Sequence, residues 1–266
     1  SINSVSGGSS CSFDTGSASC PGLTFTKSGS TYTIPSGNYS LNSLTTMNRA
    51  SVTFTSPVTL KVNSISQDGG AIKIGEGSTG SIEVNGVLTI RNGGAMTIGN
   101  GYHAFGSIDI STSSSINAGS GNVTVTGKLA AANTATIRFA VGKDETVKIG
   151  NSGGTSISGD STVTISFVPV GGSIPDTGGF SASGSISMTN TATLVFNKAP
   201  VHVINGSLSL ANGGSHVLNA GLYLVKDGLS VDKGTIGGVG VTLVLGGAID
   251  LRNQASLQIA APTTAY

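Results

Sequence analysis

Apolar and small polar residues alternate along most of this chain in very short segments. Thr31-Tyr32-Thr33-Ile34, Ser51-Val52-Thr53-Phe54, Ser81-Ile82-Glu83-Val84 and Ser107-Ile108-Asp109-Ile110 are early examples. Thr146-Val147-Lys148-Ile149, Ser207-Leu208-Ser209-Leu210 and Ser256-Leu257-Gln258-Ile259 continue the pattern to the end. A period of two places one set of side chains on each face of an extended strand, so each segment predicts a strand with one apolar face. The turns between them are Asp68-Gly69-Gly70, Asn85-Gly86, Asn92-Gly93-Gly94, Asn205-Gly206 and Asn212-Gly213-Gly214. These are residues that tolerate left-handed backbone.

Strands about four residues long, each with one inward face and a Gly or Asn corner, fit a solenoid better than a sandwich or a propeller. A sandwich uses longer strands and a large aromatic core, and a propeller carries long aromatic-signed blade repeats. The fold class expected is all-β: a single-stranded parallel β-helix, or β-solenoid, with three short strands per coil. That spacing gives roughly 20–25 residues per coil and on the order of ten coils. Residues 1–30 are expected to form an N-terminal cap and residues 31–266 the β-helix. Two interruptions, GNGYHAFG at 99–106 and VPVGGSIPDTGGFS at 168–181, are expected to be loops leaving the tube.

Composition agrees with an all-strand reading. The 266 residues include 41 Gly and no Trp, and only 9% are charged. Such a chain disfavours helix interiors, while 37% hydrophobic residues exclude a disordered one. The formal net charge is +1 and lysines and arginines stand apart, so nucleic acid is not an expected partner. No apolar run is long enough to span a membrane as a helix. Cys11 and Cys20 flank a short polar segment with no histidine near, which favours a local disulfide over a zinc site. The disulfide would pin the cap, and it points to a secreted, extracellular chain with its signal peptide absent here.

Residues 221–266, GLYLVKDGLSVDKGTIGGVGVTLVLGGAIDLRNQASLQIAAPTTAY, resemble the C-terminal region of TadG-type proteins of bacterial tight-adherence pili. The shared features are G-x-Y, a Gly-flanked apolar strand, G-V-T-x-x-L, a Gly-Ala turn and A-x-L-x-x-A-P-T. Residues 42–63, NSLTTMNRASVTFTSPVTLKVN, are similar to solenoid segments of other pilus-associated surface proteins, including the mannose-sensitive haemagglutinin biogenesis type. The resemblance implies a cell-surface, pilus-associated role. It brings no catalytic residues with it.

Three function classes follow. The first is a non-enzymatic extracellular adhesin or filament component, acting through rigid stacking and partner contacts. Its partners would be other copies, pilus or cell-surface proteins, or surface glycans, and it would need no cofactor or metal. The second is a polysaccharide lyase or hydrolase; its acids are nearly all isolated, and a sugar platform lacks Trp. The third is ice binding, suggested by Thr-x-Thr pairs such as Thr31/Thr33, Thr53/Thr55 and Thr162/Thr164. Tyr102, His103 and Phe105 form the candidate contact loop, with Phe105 alternatively a packing lid. His202 and His216 are read as outward surface side chains. Leu257 and Ile259 are expected to point inward on the last rung and form a candidate assembly end.

Overall fold

The computed structural model describes residues 17–20, 22–141, 146–149, 155–159, 161–167, 179–197 and 201–262. These form a parallel β-solenoid of about ten turns, with strands and turns and no helix among the described residues. Each turn contributes a strand to each of three faces, and the strands pair in parallel throughout the described residues. The first face runs from Ser17–Cys20 to Val241–Leu245, and the second from Leu23–Phe25 to Ile249–Arg252. The third runs from Thr31–Ile34 to Ser256–Ala260. A 25-stranded sheet holds most of these, and Ser215–Val217, Thr235–Val239 and Ser256–Ala260 form a separate three-stranded sheet on the third face.

The alternation in the sequence becomes ladders in the tube. On the second face Leu23, Leu44, Ile65, Leu88, Ile108 and Leu129 stack in register and are fully buried. Each buried aliphatic side chain stabilises by roughly 1.5–3 kcal/mol relative to exposure, and stacking shares that burial between neighbouring turns. The outward positions carry Thr24, Thr45, Ser66 and Thr89, small polar residues that suit a solvated strand.

Corners repeat as strictly as faces. Between the second and third faces the chain turns through two left-handed positions, as at Asn48 (φ 54°) and Arg49 (φ 60°) or Asn133 (φ 54°) and Thr134 (φ 66°). Asn bonds the corner below: Asn253 Nδ2 donates to Asp232 Oδ1 at 2.6 Å. Between the first and second faces Asn42, Asn63 and Asn85 stack, with amide-to-amide bonds of 2.8 and 3.0 Å. Between the third and first faces the backbones approach so closely that a side chain has no room. A Cβ at Gly121 would overlap the carbonyl oxygen of Gly101. Gly121→Ala is therefore expected to cost about 1–3 kcal/mol, because backbone rather than a flexible side chain must shift. Chemical denaturation monitored by far-UV circular dichroism checks this.

Two boundaries differ from expectation. The strands Ser17–Cys20 and Leu23–Phe25 pair with Gly37–Thr46, so the solenoid begins ahead of residue 31. GNGYHAFG is not a loop: residues 99–100 end the strand Ala95–Asn100 and residues 103–106 open His103–Ser111, leaving a corner at Gly101-Tyr102. The glycines there serve close stacking on the corner below rather than an excursion. Of the second expected loop, residues 168–178 lie outside the described residues and 179–182 form a strand of the first face.

Candidate functional site: the open last turn

The two ends of the described solenoid differ. At the N-terminal end the inward side chains Leu23, Phe25 and Ile34 are fully buried, and Tyr32 packs on Phe25 with ring centroids 4.7 Å apart. At the C-terminal end the strands Val241–Leu245, Ile249–Arg252 and Ser256–Ala260 each pair with the turn before and with no described strand beyond.

Inward residues of that last turn continue the ladders. Leu243 lies over Tyr223 and Leu245 over Val225. Ile249 lies over Leu229 and Leu251 over Val231, while Leu257 lies over Ile236. The lower partners are buried to within a few per cent, yet Ile249 is 51% exposed and Leu251 43%. Leu243, Leu245, Leu257 and Ile259 are partly buried against the core. The expected inward direction of Leu257 and Ile259 holds. Sequence reasoning did not single out Ile249 and Leu251, although the I-D-L alternation in GGAIDLRNQ carries the same signal as the strands before it.

The outward side of this turn carries Asp250 and Arg252, whose side chains pair at 2.6 Å and are both exposed. The carboxylate beside it raises the Arg252 guanidinium above its ordinary value. The first face also changes character here. Its outward column reads Lys61, Glu83 in early turns, joined by an ion pair of 3.0 Å. In the last three turns it reads Val203, Leu224, Val244.

The proposed contact loop comes apart. Tyr102 is 51% exposed, and its N–H donates to the Ser81 hydroxyl at 3.2 Å. His103 and Phe105 are buried and stack on Ile82 and Val84 below and Val123 and Val125 above. His103 Nε2 lies 3.2 Å from the Gly119 carbonyl oxygen, which can only accept, so Nε2 carries the proton. Only Tyr102 is left facing solvent.

The other two histidines are also inward, which corrects the surface reading. His202 sits in the first-face ladder between Phe180 and Tyr223, with its ring 4.5 Å from that of Tyr223. Burial lowers its pKa to about 4. His216, in the same turn on the third face, is shifted downward for the same reason. Its ring lines a cavity of about 10 Å³ with Ile204, Leu218, Tyr223 and Ile236. Among the described residues no three His, Cys, Asp or Glu side chains gather to hold a metal. Cys11 lies outside the described residues, and with it the Cys11–Cys20 pairing.

No family model, curated protein or solved structure matches this chain. The functional reading therefore rests on the geometry of the tube and its end. No helix among the described residues is long and apolar enough to cross a membrane.

Proposed function

We propose that this chain is a non-catalytic, extracellular structural and adhesive component, a rigid β-solenoid of a pilus-associated or filament-type surface assembly, in which further polypeptide, the rest of a longer protein or the next subunit, covers the turn at residues 241–260. The observation that carries the reading is the exposure of Ile249 and Leu251, inward ladder residues left uncovered while their partners one turn below are buried. An apolar tube end with unpaired strand edges favours association. The resemblance of residues 221–266 to TadG-type pilus proteins supports the same placement.

In cells that make the protein, it is expected at the outer surface and cross-linkable into high-mass assemblies. Leu257→Lys should remove it from those assemblies while the remaining turns stay folded, because solenoid stability is built from neighbour contacts. Recovery of the whole population as free chain inside the cell would overturn the reading.

A second reading rests on one column. On the third face Thr31, Ser51, Ala71, Ala95, Ser115 and Thr136 stack outward in register. Four of these six side chains carry a hydroxyl, and a flat row of small hydroxylated residues favours an ordered water layer, as ice binding requires; Ala71 and Ala95 interrupt it. The column beside it runs Thr33, Thr53, Lys73, Thr97, Asn117, Arg138 and Thr164, so Lys73, Asn117 and Arg138 break it between the Thr-x-Thr pairs of this face. Thermal hysteresis of the purified chain decides this reading.

A further inference from the structure

Resting on the adhesive part of the reading above, we infer that the first face of the tube, from Asn38 to Tyr102, binds a neutral, extended glycan laid along the tube axis with one sugar ring stacked on Tyr102. A groove of about 230 Å³ runs along the corner between the third and first faces. Its lining includes Ser36 and Asn38 of one turn, Pro57 and Thr59 of the next and Thr79 of the third, and no charged residue. Asn38 and Thr59 also open a straight outward column on the first face. Asn38 stacks under Thr59, Thr59 under Ser81 and Ser81 under Tyr102. Tyr39 and Phe54 are buried, so Tyr102, 51% exposed, is the solvent-facing ring to which the column leads.

The chemistry of the column selects the ligand. Amide and hydroxyl side chains both donate and accept, which suits sugar hydroxyls, and a tyrosine ring offers a rigid face to the C–H groups on one side of a pyranose. Ala104, the next outward residue on the strand, is too short to cover that ring. The charges nearby are already compensated. Lys61 and Glu83, the outward residues beside Thr59 and Ser81, pair at 3.0 Å, and Lys73 pairs with Glu76 at 2.6 Å in the turn that carries Thr79. An anionic glycan therefore meets no uncompensated cation between Asn38 and Ala104 on this face.

The spacing selects the shape. Successive turns repeat at about 4.8 Å, close to the advance per sugar of an extended β-1,4-linked chain. A glycan of that form meets an equivalent side chain at each sugar, whereas a curled α-linked chain falls out of step. A peptide fits less well. The backbone of these strands is bonded to the turns on both sides, which leaves no edge for an added strand.

The test is isothermal titration calorimetry of the purified 266-residue chain with the neutral β-1,4-linked hexasaccharides of glucose, mannose and xylose. The comparison ligands are a β-1,4-linked hexamannuronate, which is anionic, and maltohexaose, which is α-linked. At least one neutral β-1,4 hexasaccharide should bind, and more tightly than either comparison ligand. Tyr102→Ala should weaken that binding on the order of tenfold or more, and Asn38→Ala severalfold. Tyr102→Phe keeps the ring and should retain most of the affinity. Thr45→Ala, outward on the second face, should bind as the original does. Asn38 and Tyr102 are exposed, so circular dichroism should be unchanged and serves as the folding control. No binding of any neutral hexasaccharide, tighter binding of the mannuronate or maltohexaose, or unchanged affinity in Tyr102→Ala overturns the site. The cross-linking experiment on cells reads the surface assembly separately. A chain that assembles but binds no glycan removes this inference alone, and one that binds glycan but stays free inside the cell removes the assembly reading alone.

Discussion

Phe105→Ala is expected to cost about 3–5 kcal/mol of local stability, the range for deleting a buried aromatic side chain. Tyr102→Ala, three residues earlier, should change stability by about 0.5 kcal/mol or less. Phe105 is almost wholly buried and stacks between Val84 and Val125, so its removal leaves a cavity spanning three turns. Backbone at those levels is held by ladder bonds that cannot collapse into the space. Tyr102 sits at a corner with its ring half in solvent. Because a solenoid unfolds by neighbouring units, the loss should be greatest at residues 82–84, 103–110 and 123–125. Hydrogen exchange resolved by segment is the suitable measurement. Equal protection of those strands in Phe105→Ala and the original chain would count against the core placement of Phe105.

That contrast marks where the sequence was legible and where it was not. Alternation exposed the strands, and Gly-Gly and Asn-Gly pairs exposed the corners, because each follows from local backbone sterics. Parity was harder. In Val201-His202-Val203-Ile204 both sets of alternate positions contain an apolar residue, so a period of two has two solutions. Stacking decides between them: Ile204 follows Ala182 and precedes Val225 in the inward ladder, which carries His202 inside with it. Ser215-His216-Val217-Leu218 has the same ambiguity, and Val217 ends up outside at 64% exposure. GNGYHAFG read as a loop because its glycines and polar residues resemble turn material. Its alignment with the previous turn, Ile82 under His103 and Val84 under Phe105, was the available signal. The open end was legible through Leu257 and Ile259 but not through Ile249 and Leu251. The strand Ile249–Arg252 is flanked by Gly246-Gly247 and Asn253-Gln254, so it resembles a long turn when read alone.

Two imidazoles buried in one turn also set how the protein answers acid. His202 has its pKa lowered to about 4 by burial, against an ordinary value of 6.5. The unfolded chain therefore takes up a proton at His202 before the folded chain does. The stability this site contributes is fully present above about pH 6.5, falls as the pH drops from there, and levels off below about 4. A difference of that size corresponds to about 3 kcal/mol across the window. His216, shifted in the same direction within the same turn, adds to the loss. The neighbours of His202 in the ladder are Phe180 and Tyr223, so the slot accepts an aromatic ring without a charge. His202→Phe should thus hold its stability at pH 4 better than the original chain, and the difference between the two should shrink toward neutral pH. Denaturant titrations of both chains from pH 7 to pH 4 measure it, and segment-resolved exchange should show the turns around residues 201–218 opening first. Parallel pH profiles for the two chains would remove His202 as the acid-sensitive element.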